Sequence, residues 1–153
     1  MERMKTVRKS IWIDAPREKV WKVLFDQRFT PIWYSVFSRG SHPESDWMLG
    51  SKALFTDGSQ TGLVGRIVEK RTPELLSIEY EGIVMRGRED YDSDHAHDVQ
   101  GAQEIYRLNE QAGRTELSVE CDMGAEFCDT MSRAWDRALL KIRELSTRLY
   151  ERR

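Results

Sequence analysis

Glu104 is the residue of this chain best placed to do chemistry. It sits in the run AQEIYRL of residues 102–108, where strand alternation puts Ala102, Glu104, Tyr106 and Leu108 on one side. A carboxyl among apolar neighbours on an inner face is desolvated, and that makes it an acid, a base or a ligand anchor; the structural alternative is a carboxylate paired with an arginine or tyrosine at a cavity rim. Tyr80 and Tyr106 either offer hydroxyls to the same space or pack as core aromatics with the OH reaching water. The segment 92–98 holds His95 and His97 among three acids. On a strand both imidazoles would share one side, as a Zn²⁺ site requires, but no third or fourth ligand follows at a telling spacing and the segment reads as a solvated connection, so no metal is assigned. The three histidines, His42, His95 and His97, all fall in predicted loops, and there is no Gly-x-Ser-x-Gly elbow for a nucleophilic triad. Residues 62–65, GLVG, lack the spacing and the following helix of a phosphate-cradling loop. No cofactor is expected.

The elements that must position Glu104 follow from periodicity. Residues 5–13 alternate and are rich in β-branched and aromatic types, a first strand ended by Asp14. Asp14 or Ala15 near the cap, Pro16 in the first turn and Glu18 after it predict a helix with Val20, Trp21, Leu24 and Phe25 as its stripe. A second short helix is expected over 30–37, opened by Pro31, with Ile32, Trp33, Val36 and Phe37 on its apolar face. After a polar loop over 38–46, strands are predicted over 50–56, 62–70, 75–80, 83–91, 100–109 and 115–122, separated by spacers short enough to force antiparallel neighbours. Residues 126–152 contain neither Gly nor Pro and place Phe127, Met131, Ala134, Trp135, Ala138, Ile142, Leu145 and Leu149 at steps of three and four, a long amphipathic helix.

A meander of that length exposes one apolar face that only the last helix is long enough to cover. Period-two reading assigns Ala53 and Phe55, then Leu76, Ile78 and Tyr80, then the Glu104 set, then Leu117, Val119 and Cys121 to the inner faces. Met131, Trp135 and Ala138 lie opposite, with Trp33 and Phe37 closing one end. If a curved sheet wrapped on one helix leaves a cavity, the Met131 and Trp135 stripe is at once core and cavity wall.

Composition bounds the rest. The chain has 153 residues, 33% of them charged, with 24 basic and 26 acidic side chains and a formal net charge of -2; its mean hydropathy is -0.64 and its pI about 6.0. One domain over 1–153 is expected, with no field to attract nucleic acid or an anionic membrane and no apolar run able to insert in a bilayer. The start MERMKTVRKSIWID has no apolar stretch of an export signal, so the cytoplasm is expected. Cys121 and Cys128 form no CxxC pattern, and a disulfide framework is not expected. The basic end of the last helix, from Lys141 to Arg153, suits a helix C-terminus.

The opening KSIWIDAPREKVWKVLFD resembles the strand-to-helix signature of the START-like or SRPBCC superfamily through Ile11, Ile13, Ala15, Pro16, Val20, Trp21 and Leu24. The remainder is similar to the activator of Hsp90 ATPase homologue 1-like branch in the segment from Trp47 to Leu54 with Gly50, the strand Gly65 to Glu69 followed by Pro73, the run QEIYRL, the run GRTEL of 113–117, and Trp135 followed by Ala138 and Leu139. The resemblance implies an α+β helix-grip fold of the START/Bet v 1-like kind, an antiparallel sheet of about seven strands wrapped on a long C-terminal helix, with two short helices after strand 1. It also implies a cavity that takes hydrophobic or amphipathic small molecules; the superfamily includes lipid carriers, hormone receptors, polyketide cyclases and oxygenase domains, so fold alone does not select the activity. The co-chaperone for which the branch is named carries a further N-terminal domain, for which these residues leave no room.

The expectation is therefore a cytoplasmic, non-enzymatic binder of a hydrophobic or amphipathic small molecule, held by Trp33, Phe37, Phe55, Tyr80, Glu104, Tyr106, Met131 and Trp135. The alternatives are a cyclase- or hydrolase-type enzyme using Glu104, and a chaperone-interacting module; a homodimer is compatible with all three. A carrier should show an apolar pocket with one polar group, an enzyme a pocket with two or more converging ones.

Overall fold

The computed structural model describes residues 4–152. Eight antiparallel strands form one curled sheet: β1 (Met4–Ile13), β2 (His42–Glu44), β3 (Lys52–Thr56), β4 (Gly62–Arg71), β5 (Leu75–Met85), β6 (Arg88–Asp90), β7 (Gln103–Gln111) and β8 (Arg114–Gly124). The order is β1-β8-β7-β5-β4-β3-β2, and β6 pairs with the far end of β5, on the stretch that β7 leaves free. Helices α1 (Arg17–Phe25) and α2 (Thr30–Tyr34) follow β1, α3 (Asp94–Val99) lies between β6 and β7, and α4 (Cys128–Glu151) crosses the sheet after a single 3₁₀ turn at Ala125–Phe127. This is the helix-grip arrangement that the sequence implied.

The first strand is one edge of the sheet and β2 the other; β1 pairs along its full length with the last strand, β8, from Met4 opposite Gly124 to Ile13 opposite Thr115. Irregularities between Val64 and Gly65 and between Ile67 and Glu69 bend β4. The tight hairpin from Gln111 to Arg114 has Ala112 and Gly113 at φ 52° and 78°, a left-handed pair that matches the twist of the strands it joins. The core is one cluster in which Trp33, Ile13, Leu24, Leu76, Ile78 and Ile142 are fully buried. α4 lies against β1, α1 and α2.

Several expected boundaries are corrected. The strands expected over 75–80 and 83–91 are one strand, β5, followed by a turn and the short β6. Gly82 is no break: a Cβ there would lie 2.4 Å from the Asp90 carbonyl oxygen, so the glycine admits the close approach of β6. The real turn is Arg86-Gly87, at φ 51° and 82°, concealed because arginine is an uncommon occupant of that conformation. The polar loop over 38–46 contains β2, an edge strand on β3. α1 begins at Arg17 with Pro16 in the cap position and no side-chain cap, and Asp14 instead accepts from the Arg114 guanidinium at 2.6 Å. α2 ends at Tyr34 rather than Phe37, and its Ile32 is exposed. The solvated connection expected at 92–98 contains α3, capped by the Ser93 hydroxyl, which accepts from the Ala96 N–H.

Candidate functional site

Period two brings β5 and β7 side by side so that Ile78 lies opposite Glu104 and Leu76 opposite Tyr106, while β8 sets Cys121 opposite Glu104 on its other flank. Glu104 is therefore in the middle of the sheet's inner face, and only 9% of its surface is accessible. Its partners are all donors. The Tyr80 hydroxyl donates to Oε1 at 2.8 Å, the Tyr106 hydroxyl donates to Oε2 through a short hydrogen bond, and the Cys121 thiol also hydrogen-bonds the carboxyl. Tyr34 extends the chain through a hydrogen bond with Tyr106. Among the described residues no lysine, arginine or histidine forms an ion pair with Glu104.

Two opposed effects act on this carboxyl. Removal from water favours the neutral acid and dominates, so the proton affinity of Glu104 is raised; the hydrogen bonds from Tyr106, Tyr80 and Cys121 favour the anion and limit the rise. The same burial, reinforced by the nearby carboxyl, pushes the phenols of Tyr34, Tyr80 and Tyr106 and the Cys121 thiol well above their ordinary values. None of these phenols is an anion at neutral pH. They are donors, and the arrangement is a buried acceptor with its donors supplied and its counter-charge withheld.

Over this network the sheet and the start of α4 separate. A pocket of about 300 Å³ lies between them, with Tyr80, Glu104 and Cys121 at its base and Phe127, Met131 and Trp135 on the helix side. Val99 and Ala102, at the end of α3 and just after it, form a further part of its wall, with Leu63 and Met123 beside them. A second pocket of about 320 Å³ opens on the other side, lined by Tyr34, Phe37, Phe55 and the loop carrying Asp57 and Thr61. Leu63, Tyr80, Glu104, Met131 and Trp135 border both. The aromatic rings are mutually braced: Phe37 meets Trp135 edge-on at 5.0 Å between centroids, and Phe55 meets Tyr80 edge-on at 5.8 Å.

Of the eight residues singled out from sequence, Phe37, Phe55, Tyr80, Glu104, Met131 and Trp135 border these pockets. Trp33 and Tyr106 border neither. Trp33 is wholly buried, its indole N–H donating to the Val23 carbonyl at 3.0 Å, with its ring 6.1 Å from that of Trp135. Tyr106 lies behind Glu104 and acts on the pocket through its hydrogen bond to that carboxyl and through its ring, which meets that of Trp135 edge-on at 6.1 Å between centroids. Tyr34, Leu63, Val99 and Phe127 border the pockets without having been singled out as site residues. Cys121 had been placed on the inner face by period two, but its bond to Glu104 has no signature in the sequence. His95 and His97 flank the buried Ala96 on α3, two helical positions apart and thus on different sides, and no group of three potential metal ligands forms among the described residues. Nor is any described helix long and apolar enough to cross a membrane.

Residues 14–146 match the model of the family described as activator of Hsp90 ATPase homolog 1-like protein. The chain belongs to this activator of Hsp90 ATPase homologue 1-like family. No curated protein sequence matches it significantly. Among solved structures, MLL2253 from Mesorhizobium loti superposes with a TM-score of 0.71 at 15% identity over 94% of this chain and 98% of that one. The Aha1 dimer from Colwellia psychrerythraea gives 0.69 at 12% over 92% and 94%. DynU16, from the dynemicin biosynthetic locus, gives 0.66 at 16% over 91% of this chain and 46% of that one, so this chain spans about half of that larger protein. At such identities the likeness is one of fold alone, and a fold does not select an activity.

Proposed function

We propose that this family member binds a hydrophobic or amphipathic small molecule in the pocket between the sheet and the start of α4, with the apolar body against Phe127, Met131 and Trp135 and the polar end at Glu104 and Tyr80. The observation that carries this reading is the pocket itself, about 300 Å³ of space beneath a helix whose remaining turns are tightly packed. That volume is at the lower end of small-molecule sites, and its wall of aromatic and apolar groups around a few polar atoms is the usual composition of one. Trp33 and Tyr106 contribute from behind, by holding Trp135 and Glu104 in place. The binding free energy comes from apolar area removed from water, and the carboxyl supplies orientation.

Native mass spectrometry of the protein purified from its own host tests this, together with titration of the purified protein with Nile red, a neutral dye that brightens in apolar sites. A co-purifying small molecule, or dye fluorescence that a Met131→Trp variant abolishes by filling the pocket, is the expected result. A bare polypeptide mass combined with no dye response overturns the reading.

A second reading, a cyclase- or hydrolase-type enzyme, draws on the raised proton affinity of Glu104, which suits a general acid or base. It is the weaker of the two. The hydroxyls best placed to act beside Glu104, those of Tyr80 and Tyr106, already donate to it, and an enzyme needs several polar groups free to converge on the substrate. The chaperone-interacting reading calls for a small or filled cavity together with a large exposed apolar patch, and no specific observation favours it over the binding reading.

A further inference from the structure

The charge of the pocket walls has a pattern that the composition of the chain does not. Lysine and arginine number 24 against 26 acids overall, yet neither pocket is bordered by a lysine, arginine or histidine. The first carries Asp98, Glu104 and Asp122; the second carries Asp57 and Glu104. None of these four carboxyls is in an ion pair among the described residues. Asp57 is held by the Ser59 and Thr61 amides and the Ser59 hydroxyl, and Asp122 by the Thr6 hydroxyl at 2.6 Å and the Gln103 amide at 3.0 Å.

Glu104 differs from the other three because it is more than nine-tenths buried and shared by both pockets. Both of its oxygens already accept from phenols, so the protein has provided for an acceptor there and not for its charge. Buried carboxylates are as a rule paired with a cation. Tyr80 and Trp135, which border both pockets with it, and Phe37 and Phe55, which border the second, are aromatic rings of the kind whose faces stabilise an organic cation close by.

We propose that the ligand of this pocket is a hydrophobic amine, an apolar body bearing an ammonium group that pairs with Glu104. This rests on the small-molecule reading above and names its substrate class. The ammonium supplies the counter-charge that no side chain brings, and the acids at the two mouths make the field inside unfavourable to an anionic ligand of the same shape. A fatty acid or other carboxylate is the ligand this pocket excludes.

A charge series on one aromatic body tests it: 1-naphthylmethylamine, 1-naphthalenemethanol and 1-naphthoate, titrated at pH 7 into isotopically labelled protein and followed by amide and side-chain chemical shifts. The expected result is that the amine binds at least tenfold more tightly than the alcohol, that the naphthoate binds most weakly, and that shifts concentrate at Tyr80, Glu104, Met131 and Trp135. In Glu104→Gln the amine should fall to within threefold of the alcohol while the alcohol keeps its affinity. Tyr80→Phe, which keeps the carboxyl and removes one donor, should retain the amine's advantage. An alcohol that binds as tightly as the amine to the unaltered protein overturns the amine assignment and leaves the binding reading intact. An advantage that persists in Glu104→Gln overturns Glu104 as the seat. If none of the three perturbs pocket resonances at millimolar concentration, the small-molecule reading itself fails, and the amine with it. Should Glu104→Gln not fold, the series on the unaltered protein still decides.

Discussion

The two ends of α4 belong to one helix and face one sheet, yet they do different work. From Ala134 onward the helix buries Ala138, Leu139, Ile142 and Ser146 against β1 and α1. Before Ala134, none of the residues 128–133 is buried, and Met131 forms a pocket wall instead. Helix propensity does not explain this, since neither stretch contains Gly or Pro. What differs is the surface opposite. The packed end meets branched aliphatic side chains, whereas the open end lies over a hydrogen-bonded carboxyl and thiol that a tightly closed apolar layer would leave poorly solvated. A family fold that must be both stable and hollow separates the two requirements along a single helix.

The largest test of that separation is at the packed end. Ile142 is fully buried, and Ile142→Ala should cost about 2–5 kcal/mol of unfolding free energy, because the surrounding helices and strands cannot collapse into the space left behind. Urea denaturation followed by circular dichroism measures it. A loss as small as that of an exposed site would mean that the packed end is not the part that stabilises the molecule.

Next in size is the pH dependence owed to the open end. The native proton affinity of Glu104 is raised above that of the unfolded chain, so between the ordinary carboxyl value, about 4.3, and the raised native value the folded state binds more protons than the unfolded one. Stability from this group is present below that window and declines as pH rises through it. Half-buried carboxyls such as Asp26 and Asp90 are shifted the other way by their hydrogen bonds, and His42 has its own rise, so the comparison must be between the unaltered chain and Glu104→Gln. Urea midpoints from pH 4.5 to 8 should show the variant gaining relative to the unaltered chain as pH rises. A difference independent of pH would show that Glu104 is ionised throughout and better solvated than its burial indicates.

How much of this was legible in the sequence follows the same division. Period two placed Leu76, Ile78, Tyr80, Ala102, Glu104, Tyr106, Leu117, Val119 and Cys121 on the buried face, as found, because a half-buried strand must alternate. Helical spacing likewise found α4. What stayed hidden depends on contacts between distant segments. That Gly82 is a close approach and not a turn is decided by Asp90, and that His95 and His97 point apart is decided by the Ser93 cap, which starts a helix where the polar composition read as a loop. Trp33 and Tyr106 were rightly read as inward-facing, but spacing cannot tell a pocket wall from the layer behind it. The hydrogen bonds that take up Tyr80 and Tyr106 exist only once β5 and β7 are paired.

A smaller effect is expected at the far end of the packed region. The Ser146 hydroxyl is buried in α4 without a hydrogen-bond partner, an arrangement in which the polar atom costs free energy and returns none. Ser146→Ala removes it and substitutes a better helix former, and should raise stability by about 0.5–1 kcal/mol. A fall in the urea midpoint would mean that the hydroxyl has a role in the packing of this turn.

The smallest effect on stability, and the sharpest contrast with Ile142, belongs to Met131. Its side chain is half-buried, borders both pockets and is unbranched, so its removal widens an existing space without opening a new one in packed surroundings. Met131→Ala should therefore change unfolding free energy by less than about 1 kcal/mol, within the range of ordinary partly exposed positions. Binding should respond the other way round: the widened pocket loses apolar contact with the naphthalene body, so all three members of the charge series should weaken by a similar factor while the amine keeps its advantage over the alcohol. Ile142→Ala, studied below its unfolding transition, should leave all three affinities nearly unchanged. If instead Met131→Ala destabilises the fold as much as Ile142→Ala does, the first turns of α4 are core like the rest, and the division of the helix into a stabilising end and a binding end does not hold.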